Sequence, residues 1–253
     1  MWSPDQYERF KNERGQPFFD LAALVEPRPG MRVVDLGCGT GELTRALHEQ
    51  LGAAETLGID NSPEMLAKAP SAAGLRFENA EIESFAGNNL DLVFSNAALH
   101  WIPDHERLFA RLTAMLAPGG QLAVQMPTNE DHPSHRTAVE VARELGIEPR
   151  RSPVLAPERY AELLHELRFA RQHVRLQIYE HVLPSSADVV EWVRGSLLTF
   201  YEHQHPRFIE RYRERLLAAI GDQQPYFYTY KRLLLWGRSL LGENRVEGEH
   251  QRR

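Results

Sequence analysis

This sequence is poor in cysteine and has no excess of positively charged residues. Cys38 is the only cysteine among 253 residues, which excludes an internal disulfide and a cysteine-based metal cluster and fits a reducing compartment. Lysine and arginine number 29 against 35 aspartates and glutamates, for a formal net charge of −6. No basic stripe is interleaved with stacking aromatics. These absences argue against a nucleic-acid partner.

Long apolar runs, repeats and low-complexity segments are also missing. No run approaches the roughly 18 apolar residues that span a bilayer, and the polar N-terminus lacks an apolar core of signal-peptide length. The apolar share of 42% and the charged share of 25% are ordinary for globular proteins. We therefore expect a cytoplasmic protein with no membrane partner.

The histidine pairs lack what a metal site requires. His132 and His135 form one pair, and His203 and His205 form another. Neither pair has a matching acid or third ligand in the sequence, so we interpret both as surface residues and predict no metal.

Short apolar runs alternate with amphipathic helical stretches from residue 31 onwards, which is typical of βαβ units and a parallel sheet. The sequence predicts strands at 31–36, 56–60, 75–78, 90–95, 121–125, 173–181 and 226–236. It predicts helices that end near residue 50, begin at 63, and cover 106–116, 136–145, 157–167, 187–201 and 207–220. We expect one α/β domain over 1–241 with an N-terminal lid region at 1–30, a helical insertion at 184–222 and a polar tail at 242–253.

A glycine-rich loop follows the first predicted strand, in the order Asp35-Leu36-Gly37-Cys38-Gly39-Thr40-Gly41. Glycines there let backbone N–H groups approach a ligand at the positive end of the next helix. Asp60, at the end of the second strand, is suited to accept hydrogen bonds from ribose hydroxyls. The third glycine comes too early for a dinucleotide fingerprint, and Asp35 would repel a pyrophosphate but attract an ammonium. The pattern therefore favours S-adenosylmethionine over a dinucleotide.

Several motifs together resemble class I methyltransferases, and within them the trans-aconitate methyltransferases. The motifs are the loop at 35–41, Gly58-Ile59-Asp60 with Ser62-Pro63-Glu64-Met65, Ala80-Glu81-Ile82, and Asn96 to Trp101 followed by Ile102-Pro103-Asp104-His105. The resemblance covers most of the chain. It implies a Rossmann-like seven-stranded methyltransferase sheet whose last strand is antiparallel.

The resemblance also implies roles for individual residues. Asp35 and the glycines would frame the methionine end, Asp60 would hold the ribose, and Asn96 would lie beside the sulfonium. Met65 would pack against the adenine, whose edge Glu81 and Ile82 would line. The expected cofactor-binding residues are Asp35, Gly37, Cys38, Gly39, Gly41, Asp60, Asn61, Met65, Glu81, Ile82 and Asn96. Core packing for Met65 and a solvated loop acid for Glu81 are the alternatives.

A sulfonium methyl group is already activated, so the enzyme mainly has to align a nucleophile with it and exclude water. A carboxylate, with a reference pKa of about 4, needs no general base. His100 is expected to donate a hydrogen bond to the substrate, or to act as a base if the acceptor is a hydroxyl. Trp101 is expected to line the wall of the pocket. For His100 the alternative is a purely structural role in the loop.

The N-terminal region and the insertion are expected to bind the small-molecule substrate. The candidates are Trp2, Tyr7, Arg194, Tyr201 and Tyr226. The stretch 197–201 lacks the arginine expected for a polyanionic acid, which leaves Arg194, Arg14 and Lys231 as substitutes. On this ground we expect a less charged acid, such as a monocarboxylate with an apolar body, as the acceptor.

Three functions remain open from the sequence. The first is carboxyl O-methylation of an organic acid, the second is methylation of a hydroxyl or carbon of another metabolite, and the third is S-adenosylmethionine binding without catalysis. No Asn/Asp-Pro-Pro-Tyr motif follows the fourth strand, which argues against a base-amine methylase. A monomer and a homodimer are equally compatible with the sequence.

Overall fold

One mixed sheet of seven strands organises the part of the chain that the structure describes. This computed structural model describes residues 11–240, with side chains from Gly15 onwards. The strands lie in the order β3-β2-β1-β4-β5-β7-β6. Their bounds are β1 Arg32–Leu36, β2 Glu55–Asp60, β3 Leu75–Asn79, β4 Leu90–Asn96, β5 Leu116–Pro127, β6 Phe169–Leu183 and β7 Tyr226–Ser239.

Helices connect most of these strands. Their bounds are α1 Lys11–Ala22, α2 Glu42–Leu51, α3 Pro63–Leu66, α4 His105–Ala114, α5 Pro133–Glu144, α6 Pro157–Glu166, α7 Asp188–Val193, α8 Thr199–Glu202 and α9 Phe208–Ile220. A short 3-10 turn, Leu99–Trp101, follows β4, and a π-helical turn, Arg194–Leu198, joins α7 to α8. Among the residues described, no helix combines the length and the apolar character needed to cross a membrane.

The direction of the strands agrees with the predicted fold. Strands β1 to β5 pair in parallel, as expected for βαβ units. Strand β7 inserts between β5 and β6 and runs antiparallel to both. The predicted antiparallel last strand is therefore confirmed.

Apolar side chains cover both faces of the central strands. Val34, Val93, Val124 and Leu235 belong to a buried cluster on one face. On the opposite face a second cluster packs beneath α1. Because successive side chains of a strand point to opposite faces, strands buried on both sides are almost continuously apolar.

Local signals place the element boundaries near the predicted positions. The Ser62 hydroxyl accepts a hydrogen bond from the Met65 N–H and caps α3, with Pro63 in its first turn. Strand β5 begins at Leu116, before the predicted 121–125, and its register against β4 shifts between Leu90 and Leu92, across the stretch in which Gly119 has a φ of 71°.

The predicted N-terminal lid region, 1–30, divides into two parts. Residues 1–10 lie outside the described residues. Phe18 and Leu21 of α1, in contrast, are buried against the sheet, and the Phe18 ring lies 5.2 Å from that of Phe94. Residues 15–25 therefore belong to the core, which corrects the lid prediction for this stretch.

The segment 184–222 is helical and lies between β6 and β7. Its buried aromatic residues, among them Trp192, Tyr201 and Tyr212, pack with Tyr228 and Tyr230 of β7. The single helix predicted over 187–201 is interrupted by the π-helical turn. There the N–H and the hydroxyl of Thr199 both donate to the carbonyl of Arg194, five residues earlier.

Candidate active site

The glycine loop turns tightly at the carboxyl end of β1. The N–H groups of Gly37 and Cys38 donate to the Ile59 carbonyl at 2.8 and 2.9 Å, which fixes the loop to β2. Gly37 has a φ of 77°, and a Cβ there would lie 2.3 Å from the Cβ of Ala98. Only glycine fits between the loop and the segment that follows β4.

Asp35 is buried beneath this loop, with 3% of its surface exposed. Its Oδ2 accepts a 2.6 Å hydrogen bond from the Thr44 hydroxyl. Burial raises the pKa of the Asp35 carboxyl to about 7; the Thr44 bond opposes the rise and the charge of Asp60 adds to it. Among the described residues Asp35 has no cationic partner, so a ligand ammonium would supply the missing positive charge.

Asp60 is the second carboxylate of the site, and it binds two backbone N–H groups. Its Oδ2 accepts a 2.9 Å hydrogen bond from the N–H of Gly39, and its Oδ1 accepts one of 2.9 Å from the N–H of Ser62. The Cε of Met65 lies over the loop, 3.2 Å from where a Cβ on Gly39 would be. Asp60 therefore shapes the loop, a role that sequence reasoning missed and that adds to its expected role as acceptor for a ribose.

A third carboxylate, Glu81, lies on the segment after β3. The Asn61 amide donates to Glu81 at 3.2 Å. Arg111 of α4 donates to the carbonyl oxygens of Ile82 and Phe85, at 2.6 Å each, and so holds this segment in place. Arg111 was not predicted, because nothing in its local sequence distinguishes it from a surface arginine.

The donor set fits the expected cofactor. The carboxylates of Asp35, Asp60 and Glu81 surround a strand-to-helix loop, an arrangement that suits a ligand with positive charge and hydroxyl groups. A pyrophosphate would meet repulsion at Asp35. When bound, S-adenosylmethionine supplies a methyl group activated by a sulfonium.

Polar side chains replace apolar ones at the carboxyl ends of β4 and β5. Asn96 and Gln125 are paired in register and therefore lie on the same face. The buried Oδ1 of Asn96 and the buried Nε2 of Gln125 have no hydrogen-bond partner among the described residues. Such orphaned groups at the mouth of a parallel sheet indicate a surface that contacts a ligand.

His100 lies in the turn after β4, and its buried Nδ1 likewise lacks a partner in the described part of the chain. Burial, together with the positive charges of Arg232 and Arg150, lowers the pKa of His100 to about 3. The imidazole is therefore neutral at physiological pH. It suits a hydrogen-bonding role better than that of a general base.

Trp101 is half exposed, and Arg150 covers its ring. The guanidinium carbon of Arg150 lies 3.9 Å from the ring centre, a cation–π contact. The backbone N–H of Arg150 donates to the hydroxyl of Tyr201 at 3.0 Å. Among the described residues Arg150 forms no ion pair, and burial lowers its pKa.

Arg232 of β7 is the second cation near His100. It pairs in register with Pro127 at the end of β5, and its guanidinium carbon lies 4.9 Å from the ring centre of Tyr230. Its charge also acts on His135 and Tyr228. His132 and His135, predicted as surface residues, are instead joined through Ser134 in this half-buried to buried region.

The predicted substrate residues are distributed differently. Trp2 and Tyr7 lie outside the described residues, as does the side chain of Arg14. Arg194 pairs with Glu202 at 2.6 Å, and Lys231 pairs with Asp131. These engaged cations are therefore unsuitable for binding an anion without first losing a partner.

The role predicted for Tyr201 also needs correction. Tyr201 is buried, stacks on Phe208 at 4.8 Å and contacts the backbone of Arg150, so it supports the site and does not line it. Tyr226 packs against the helical insertion. The expectation of a weakly charged acceptor depended on the absence of an arginine from 197–201. Arg150, which forms no ion pair among the described residues, was not considered in that expectation.

Comparison with known proteins shows the family to which this chain is similar. Residues 33–120 match a family model described as a methyltransferase domain. A trans-aconitate 2-methyltransferase of Deinococcus radiodurans is 44% identical, over 92% of this chain and 96% of the relative. A protein of the same name from Escherichia coli is 35% identical, over 97% and 99% of the two chains.

Solved structures share the fold. The YcgJ protein of Bacillus subtilis matches with a TM-score of 0.61 at 17% identity, over 90% of this chain and 99% of its own. A phosphoethanolamine N-methyltransferase of Haemonchus contortus, solved with S-adenosylhomocysteine, matches with a TM-score of 0.56 at 19% identity, over 89% and 52%. These identities are low, so the likeness concerns the architecture alone.

Proposed function

This chain belongs to the class I S-adenosylmethionine-dependent methyltransferases, and we propose that it methylates one carboxylate of a small polycarboxylic acid such as trans-aconitate. Methyl transfer from S-adenosylmethionine is the activity of the family, and the homologues support a small-molecule acceptor. What the proposal adds to this is that the acceptor is a carboxylate.

The observation that carries the proposal is the pair of arginines beside His100. A tricarboxylate has three negative charges near neutral pH, and its removal from water requires fixed cations. Arg150 has no carboxylate partner among the described residues, and Arg232 acts on the same histidine. Unlike Arg150, the arginines Arg171, Arg194 and Arg211 form ion pairs with glutamates. The names of the relatives agree with this acceptor.

The residues around the acceptor have binding and orienting roles. A carboxylate is ionised at neutral pH, so no residue has to remove a proton. The arginines would hold the charged groups, and the neutral His100 would donate a hydrogen bond to an oxygen. Trp101, held by Arg150, would wall the pocket against water.

The test is transfer of labelled methyl groups to a panel of acids. We expect trans-aconitate or a close tricarboxylate to exceed aryl and medium-chain monocarboxylates at least tenfold in kcat/KM, about 1.4 kcal/mol of transition-state binding. The product should be labile to base, as an ester is. A base-stable product, or a monocarboxylate as the better acceptor, would contradict the proposal.

A further inference from the structure

Two buried glutamines on one strand have opposite hydrogen-bonding states. Gln121 and Gln125 are both in β5, on the same face, and are 0% and 1% exposed. The Gln121 amide makes three hydrogen bonds: its Oε1 accepts from the Glu26 N–H at 2.8 Å and from the Trp236 indole at 2.9 Å, and its Nε2 donates to the Glu26 carbonyl at 2.8 Å. Gln121 is therefore structural.

Gln125 has no such partners in the described part of the chain. Its buried Nε2 donates no hydrogen bond to any described residue. An unsatisfied buried donor destabilises the folded state, so folding alone gives no reason for an amide at this position. A ligand that accepts the bond would give one.

The sheet register shows where such a ligand would lie. Gln125 is level with Asn96 on β4 and with Leu234 on β7, and Arg232 is one step further along the same face of β7. Asn96 and Arg232 thus flank Gln125 at the carboxyl edge of the sheet. The amide therefore lies at the edge of the sheet where we place the acceptor.

We propose that Gln125 binds the carboxylate that becomes methylated, by donating Nε2–H to one of its oxygens, while Arg150 and Arg232 bind the carboxylates that do not react. This inference rests on the proposed function. It makes Gln125 a catalytic residue that contacts the reacting group and determines which carboxylate is oriented for transfer.

We assign the reacting carboxylate to Gln125, and the others to the arginines, because the charge of the reacting group changes during the reaction. A carboxylate oxygen forms the new C–O bond with a lone pair, the electron pair of the S–CH3 bond remains on sulfur, and no proton moves. The acceptor loses its negative charge, so a guanidinium bound to both oxygens would stabilise the ground state more than the transition state. One neutral N–H donor orients the group and leaves the second oxygen free to attack.

The experiment compares Gln125→Met with Gln121→Met, two substitutions of similar shape at matched buried positions. We measure urea unfolding, S-adenosylhomocysteine binding, trans-aconitate binding to the S-adenosylhomocysteine complex, and steady-state kinetics. For Gln125→Met we expect stability equal to or above that of the wild type and unchanged S-adenosylhomocysteine affinity. We expect kcat/KM and acid affinity to fall at least tenfold. Gln121→Met should instead be clearly less stable.

A second variant, Gln125→Glu, keeps the shape and adds a negative charge, so it should raise the KM for the acid more than Gln125→Met does. The inference is overturned if Gln125→Met is destabilised like Gln121→Met, or if either Gln125 variant retains wild-type kcat/KM. If the wild-type enzyme methylates no carboxylic acid, the proposed function itself fails. If it does so and Gln125→Met is equally active, the inference alone fails.

Discussion

The guanidinium of Arg150 stacks on the ring of Trp101, with its carbon 3.9 Å from the ring centre. This contact fixes a cation next to His100, whose ring centre is 4.8 Å from that of Trp101. The arrangement joins two chain segments that are distant in sequence. It gives the site a positive charge that has no counter-ion among the described residues.

Replacing Arg150 by alanine should weaken acid binding and leave cofactor binding intact. Loss of a charge-assisted interaction costs about 1.5–3 kcal/mol, so the KM for trans-aconitate should rise roughly 10- to 100-fold. Steady-state kinetics and S-adenosylhomocysteine titration measure the two effects. Arg151→Ala, at the exposed neighbouring position, is the matched control and should resemble the wild type. Equal KM values for both variants would remove Arg150 from the site.

The rate at saturating cofactor should be nearly independent of pH between 6.5 and 9. The lowered pKa of His100, about 3, keeps its imidazole neutral throughout this range, and a carboxylate acceptor stays ionised. His100→Ala should raise KM with a moderate loss of kcat. A rate that rises through a pKa near 6.5 in the wild type and becomes flat in His100→Ala would instead identify His100 as a base for a hydroxyl acceptor.

S-adenosylmethionine affinity should increase with pH up to about 7. The raised pKa of Asp35 means that the carboxyl is largely protonated below that value in the free enzyme, whereas an ammonium favours the ionised form. Affinity should therefore fall by up to tenfold for each pH unit below 7, with release of a proton on binding. Calorimetry between pH 5.5 and 7 in buffers of different ionisation enthalpy measures both quantities. Asp35→Asn should bind more weakly and lose this dependence; a wild-type affinity that is flat in the same range would contradict the role of Asp35.

Asp60→Ala should affect both binding and folding. The substitution removes the acceptor for the ribose and also the bonds that Asp60 receives from the Gly39 and Ser62 N–H groups. Cofactor affinity should fall at least tenfold, and the free energy of unfolding should decrease by about 1 kcal/mol or more. Glu55→Ala, an exposed acid at the other end of β2, serves as the control. Binding by Asp60→Ala as tight as by the control would exclude the assignment.

The cofactor half of the site could be predicted because its signals are local. The glycine loop, Asp60 and the Ser62 cap depend on backbone conformation within a few residues, and strand alternation put their segments at one edge of the sheet. Their positions in the structure agree with that prediction. What local reasoning missed was the second role of Asp60, because the partner N–H of Gly39 belongs to a different strand-to-helix connection.

The acceptor half depended on tertiary structure. Arg150 and Arg232 lie in segments without a motif. Arg232 comes near His100 because β7 inserts antiparallel between β5 and β6, whereas Arg150 comes from the connection between α5 and α6 and contacts Trp101. Arg194 and Tyr201 looked suitable in sequence, but the fold gives the first a glutamate partner and buries the second under Arg150. Sequence by itself determined the fold class and the cofactor, since periodicity and turn chemistry are short-range. Only the folded chain decided which arginines have counter-ions and which buried amide lacks a partner, because these depend on contacts between distant segments.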